Sequence, residues 1–145
     1  MKRLLTSCGV LVAAIVCGVT VLKGQQVPRH RTPDARFATL KNFPFAPHYA
    51  EINGLRMHYL DEGSGKAGTM LLLHGEPTWS FLYRNVIPSL TAAGYRIIAP
   101  DMIGFGRSDK VTDENWYTLD AHVAMLRGLI ERLDLRNVTL VCQDW

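Results

Sequence analysis

Cysteine is scarce, with three in 145 residues, and two of them, Cys8 and Cys17, sit inside one apolar run. That excludes a disulfide framework, and no Cys/His spacing suits a zinc site. No Gly-x-Ser-x-Gly occurs, so a serine nucleophile has no candidate. The glycine-rich stretch Gly63-Ser64-Gly65-Lys66-Ala67-Gly68 lacks the Gly-Lys-Ser/Thr ending of a phosphate loop. No repeat is visible at periods of about 20–50 residues. The chain also lacks basic charge where a nucleic-acid-binding domain needs it. Residues 1–36 hold six bases and one acid, whereas residues 37–145 hold ten bases and twelve acids. The net charge of +3 therefore belongs to the N-terminal segment, which argues against nucleic acid as a partner.

What the N-terminus does have is a long apolar run. After Lys2 and Arg3, Leu4 to Leu22 contains no charge over 19 residues. As a helix it spans about 28 Å, close to the hydrocarbon thickness of a bilayer. Residues 1–24 thus read as a signal peptide or as an uncleaved membrane anchor. The length of the run and the lack of an A-x-A-like site favour the anchor. Either reading implies an exported or membrane-anchored protein of a bacterial cell envelope or periplasm. Residues 25–47, polar and with Pro28, Pro33, Pro44 and Pro47, read as a tether.

The body, residues 48–145, alternates strands and helices. Asn53-Gly54 between alternating apolar residues predicts a hairpin over Glu51–Tyr59. Three short apolar runs predict buried strands: Thr69–Leu73, Arg96–Ala99 and Asn137–Cys142. Between them, Thr78 is expected to cap a helix reaching about Ala92, stopped by Gly94. Leu119, Val123, Leu126, Leu129, Ile130 and Leu133 fall on one helical face. The pattern implies an α/β fold with a mostly parallel sheet and an N-terminal hairpin. In such sheets ligands bind beyond the carboxyl ends of the strands, where His74–Pro77, Asp101–Ser108 and Asp144-Trp145 all fall.

These three motifs, His74-Gly75-Glu76-Pro77-Thr78-Trp79, Pro100-Asp101-Met102-Ile103-Gly104-Phe105-Gly106-Arg107-Ser108-Asp109 and Val141-Cys142-Gln143-Asp144-Trp145, closely resemble those of the haloalkane dehalogenases. The resemblance runs from about Pro44 to Trp145 and implies a truncated α/β-hydrolase fold ending at the nucleophile elbow. By that resemblance Asp144 is the nucleophile, which displaces halide from a saturated carbon and leaves an ester on the enzyme. Trp145 would donate its indole N–H to the departing halide. The backbone N–H groups of Glu76 and Trp145 would form the oxyanion hole for hydrolysis of that ester. The Glu76 side chain would help position water or its neighbours. A haloalkane and its halide product are the implied partners, with the membrane a further one through residues 4–22; no cofactor or metal is implied. His74 reads as a turn residue rather than a base, Cys142 as an inert small hydrophobe, and Gly104 and Gly106 as backbone turns.

Three functional readings follow. The first is hydrolytic dehalogenation through an aspartyl ester. The second is an epoxide hydrolase of the same fold, which Glu76 and Gln143 speak against. The third is a non-catalytic membrane-anchored remnant. None of His30, His48, His58 and His122 follows a late strand, where the family keeps its base, so the 145 residues alone are expected not to turn over.

Overall fold

The computed structural model describes residues 27–144. The 1–24 segment read as signal peptide or anchor, and Trp145, lie outside the described residues. Among the described residues no helix is long and apolar enough to cross a membrane.

The hairpin forms where Asn-Gly predicts it. Strand β2 (His48–Ile52) returns as β3 (Leu55–Glu62), with Ile52 opposite Leu55. Asn53 and Gly54 have φ of 49° and 78°, the pair of positive values that a tight two-residue turn between twisted strands requires. Strands β4 (Gly68–Leu73), β5 (Tyr95–Pro100) and β7 (Val138–Cys142) follow the three apolar runs. They join the hairpin in one five-stranded sheet of order β2-β3-β5-β4-β7.

The sheet is mixed rather than mostly parallel. β4 pairs in parallel with β5 and β7, while β3 runs antiparallel to both β2 and β5. The reason is that β3 extends well past the hairpin, so its second half, Tyr59–Glu62, docks on the free edge of β5. Alternation along the inner strands supplies two cores. Leu71, Leu73 and Ile98 face one side with Met57, Met102 and Leu129. Leu72, Ile97 and Ala99 face the other with Leu60, Tyr83 and Ile87. Each such buried side chain contributes about 1.5–3 kcal/mol.

Three local expectations are corrected. The helix from Thr78 to Ala92 is broken into a 3₁₀ turn at Ser80–Tyr83 and the short helix α1 (Ile87–Ala92). Pro88 lies at the start of α1, and in the middle of a long helix its ring would meet the carbonyl of Arg84. Thr78 does not cap a helix; its Oγ1 donates to Gly75 O at 2.7 Å. Strand β7 is not buried, with Leu140 54% and Val141 36% exposed; it is an edge strand and pairs on one side only. The helix α2 (Leu119–Arg132) is capped by Thr118, which accepts from Ala121 N, but its buried face centres on Met125 and Leu129. Leu119 and Val123 are left more than half exposed. Further along α2, Gly128 packs so closely on the hairpin that a Cβ there would overlap Ile52.

The described part of the expected tether is docked on the body. β1 (Arg29–His30) pairs antiparallel with β6 (Lys110–Val111), and Thr112 N donates to Pro28 O at 3.1 Å. Asp109, with no exposed side-chain surface, takes Arg29 Nε at 2.9 Å. It also accepts both Nε and Nη2 of Arg31, and the backbone N–H of Arg56 at 2.9 Å. Part of the N-terminal basic excess is therefore counter-charge for a buried acid. Further along, Phe37 and Phe43 pack on Trp79 at 5.5 and 5.2 Å between ring centres, and Arg107 lies over Phe37 at 4.4 Å.

Removing Asp109 breaks this clamp at its centre. Asp109→Ala is expected to cost about 3 kcal/mol, the low end for a broken buried ion pair, because Arg31 still reaches solvent. The urea midpoint measures it, and Arg31→Ala should shift that midpoint less.

Candidate active site

Register places the site. Leu71 pairs with Ile98 and Leu73 with Cys142; carried three residues beyond the first pair and one beyond the second, His74, Asp101 and Gln143 stand level at the carboxyl ends of three parallel strands. Gln143 N donates to Leu73 O at 3.2 Å, closing the ladder.

Asp101 organises this edge. Fully buried, it accepts the backbone N–H of Ser80 at 2.9 Å on Oδ1, and on Oδ2 that of Arg107 and Nδ1 of His58, each at 2.8 Å. Its carbonyl accepts Ser108 Oγ, which in turn accepts His58 N. Burial pushes the Asp101 carboxyl up, but the hydrogen bond and charge of His58 and the two N–H donors outweigh it and hold it below its ordinary value. Asp109 is likewise depressed: burial raises it, and Arg31, Arg56 N and Arg29 more than offset that.

His74 is the turn residue the sequence suggested. Its Nε2 accepts Met102 N at 3.0 Å, and its Nδ1 lies 3.1 Å from Gly75 O, to which it donates. That pattern needs the neutral imidazole, and burial lowers its pKa accordingly.

The two site candidates within the described residues meet. Glu76 N donates to Asp144 Oδ2 at 3.3 Å, and Gly75 N to Gln143 Oε1 at 3.2 Å. Asp144 has φ 67°, a left-handed conformation uncommon outside glycine and better tolerated by Asp than by most residues. It projects the carboxylate from a sharp turn after β7, as a nucleophile elbow requires. Gly75 is needed for this approach: a Cβ there would overlap Asp144 Cβ and come within 2.7 Å of Gln143 O. The Glu76 side chain is exposed. Trp145, the third candidate, lies outside the described residues. Cys142 is exposed rather than packed in the core.

Asp144 opens into a cavity of about 520 Å³ lined by His74, Glu76, Met102, Phe105, Tyr117 and Leu119, among others. Gly104 and Gly106, at φ 101° and 46°, turn the loop that forms one wall. Tyr117, whose ring packs against Gly104, and His122 also line the cavity, and sequence reasoning missed both. His122 stacks edge-on against Trp116 at 5.6 Å, and burial lowers its pKa against the field of Glu76. The signal was present: His122 lies one turn beyond the Thr118 cap, on the same end of α2 as the exposed Leu119. Among the described residues no group of His, Cys, Asp and Glu could hold a metal.

This fold and elbow have matches among known proteins. A profile described as alpha/beta hydrolase fold matches residues 68–145, and the chain belongs to that family. It is 55% identical over 120 residues to a haloalkane dehalogenase of Psychrobacter cryohalolentis. It is 56% identical over the same length to haloalkane dehalogenase 1 of Mycobacterium tuberculosis. Each match covers 79% of this chain and 40% of the relative, so the chain spans about two fifths of the length of these proteins. Among solved structures, a tetrameric haloalkane dehalogenase from Paraglaciecola agarilytica superposes with a TM-score of 0.78 at 50% identity. That match covers 82% of this chain and 42% of the other. An epoxide hydrolase from Vigna radiata superposes with a TM-score of 0.65 at 34% identity, covering 70% and 32%.

Two outcomes follow. Gly75→Ala is expected to displace the Asp144 turn and to cost about 1–3 kcal/mol by overpacking, read as a lowered thermal midpoint. Stability is expected to fall in two stages on acidification. The unfolded chain protonates histidine near pH 6.5, before buried His74 does, so the first loss begins at about that pH. The second begins below about pH 4, where unfolded carboxylates bind protons that Asp101 and Asp109 still refuse. A thermal midpoint measured against pH checks both, and Asp109→Asn should flatten the lower limb.

Proposed function

We propose that the protein this chain belongs to hydrolyses haloalkanes, with Asp144 as nucleophile. The observation that carries the reading is the approach of the Glu76 N–H to the Asp144 carboxylate across the ends of two parallel strands. A carboxylate oxygen of Asp144 attacks the halogen-bearing carbon. The carbon–halogen bond breaks with its electron pair going to halide, and an aspartyl ester forms. Trp145 is assigned the halide, through an indole N–H that can donate and cannot accept. Water then attacks the ester carbonyl; the backbone N–H groups of Glu76 and Trp145 receive the developing oxyanion. The alcohol leaves, and a proton is released with the halide.

The apolar contribution of Met102, Phe105 and Leu119 to the cavity suits an uncharged substrate. The hydrolytic half needs a base for water. His58 is committed to Asp101 and His74 to Met102 N, so neither serves as that base. His122, which also lines the cavity, packs against the Trp116 and Tyr117 rings; by the family resemblance the base belongs to a later strand, and we assign to these 145 residues the alkylation half-reaction and not turnover. We further propose that residues 4–22 remain as a membrane anchor, in keeping with their length and lack of charge, and that the protein resides in the cell envelope.

The test is mass spectrometry on the full-length protein after exposure to a short primary bromoalkane, with halide release followed in parallel. The expected result is an alkyl adduct on the peptide containing Asp144. Asp144→Ala should reduce halide release by about 10⁴-fold or more. Undiminished release from that variant would overturn the assignment. Consumption of an alkyl epoxide without attack on the bromoalkane would favour the epoxide hydrolase reading, to which the Vigna radiata structure is similar.

A further inference from the structure

The docked N-terminal segment fixes how far the body can stand from whatever precedes it. Val27 is already packed on the main core cluster, as Phe105 and Trp116 are. From there the chain is locked by the β1–β6 ladder and by Arg29 and Arg31 on Asp109. Only Lys23, Gly24, Gln25 and Gln26 separate Leu22, the end of the uncharged run, from Val27. Fully extended, the five steps from Leu22 to Val27 cover about 17 Å.

The lock also lies close to the candidate site. Arg29 pairs with Val111, and the Val111 carbonyl accepts the Tyr117 hydroxyl at 2.9 Å. Tyr117 is itself a wall of the Asp144 cavity. One side-chain layer therefore separates the docked strand from the cavity. The segment itself is basic: residues 27–47 hold Arg29, Arg31, Arg36 and Lys41 against the one acid Asp34, and Arg36 and Lys41 are exposed; such bases favour anionic headgroups.

We propose that these contacts hold the body against an anionic lipid bilayer, with the Asp144 cavity about 30 Å or less from the membrane surface. An apolar substrate dissolved in the lipid is thereby delivered beside the cavity. The proposal rests on the reading of residues 4–22 as an uncleaved anchor and is independent of the chemistry assigned to Asp144.

The experiment uses the full chain in vesicles of phosphatidylcholine and phosphatidylglycerol carrying an acceptor dye on the headgroups. A donor dye is attached through Leu119→Cys in a Cys8→Ser, Cys17→Ser and Cys142→Ser background. Strong energy transfer to the lipid is expected. Inserting 20 Gly/Ser residues between Gln25 and Gln26 adds a mean reach of about 25 Å and should reduce transfer at least twofold. Arg29→Ala with Arg31→Ala should reduce it in the same sense, with circular dichroism confirming that the fold is kept. Transfer that the insertion leaves unchanged would overturn the proposal, as would finding that the protein made in cells has had residues 4–22 cleaved off. No readout involves halide release, so failure here leaves the dehalogenation reading to its own test.

Discussion

One buried carboxylate ties the molecule together at its functional edge. Asp101 stands at the end of β5 and receives donors from three other segments: His58 on the hairpin strand, Ser80 at the start of the 3₁₀ turn, and Arg107 in the glycine loop. An unpaired buried charge would cost several kcal/mol. The loop, the turn and β3 must therefore arrive together, and their arrival defines the rim on which Gly75, Glu76 and Asp144 meet. The hydrogen bonds also explain how a carboxylate without solvent contact stays ionised: each donor favours the charged form that burial disfavours.

The same logic operates at Asp109, eight residues on. There Arg56 N of β3 is joined by donors from outside the five-stranded sheet, Arg29 and Arg31, and the carboxylate is what makes the N-terminal segment part of the domain. The motif spanning Asp101 to Asp109 is thus two counter-charged anchor points joined by a loop whose glycines allow the turn. Lys110 adds a further tie, with Nζ donating to Gly106 O at 2.8 Å and Ser108 O at 3.0 Å. A loop fastened at so many points can present Phe105 to the cavity as a fixed wall.

Elements whose own residues determine their form were legible in the sequence. The hairpin follows from Asn53-Gly54, the inner strands from uninterrupted apolar runs, and the convergence of three motifs from the parallel order of β4, β5 and β7. Asp144 and Glu76 could be named because their motifs resemble those of the haloalkane dehalogenases, and the strand ends do bring them side by side. What was not legible depends on partners distant in the chain. Nothing near Arg29 or Arg31 announces that Asp109 will claim them. Nothing near His58 announces a buried acid 43 residues away. The break at Pro88 was visible, since proline inside a helix removes a donor and clashes with the preceding turn, and the apolar pattern around it masked the signal. The face of α2 was misjudged by part of a turn, because periodicity marks every apolar residue and packing against β2 selects among them.

The contact between Arg31 and Asp109 closes a loop of 78 residues. Loop-closure entropy grows slowly with length, by about 0.6 kcal/mol for each doubling, so the contact is affordable in the finished fold. Its place in time is another matter. On a ribosome, Arg31 emerges long before its counter-ion, and the hairpin, β4 and β5 can assemble in the interval. The segment around Arg29 and Arg31 therefore docks after the hairpin, β4 and β5, and until Asp109 has been made its arginines remain solvated and its backbone edge unpaired.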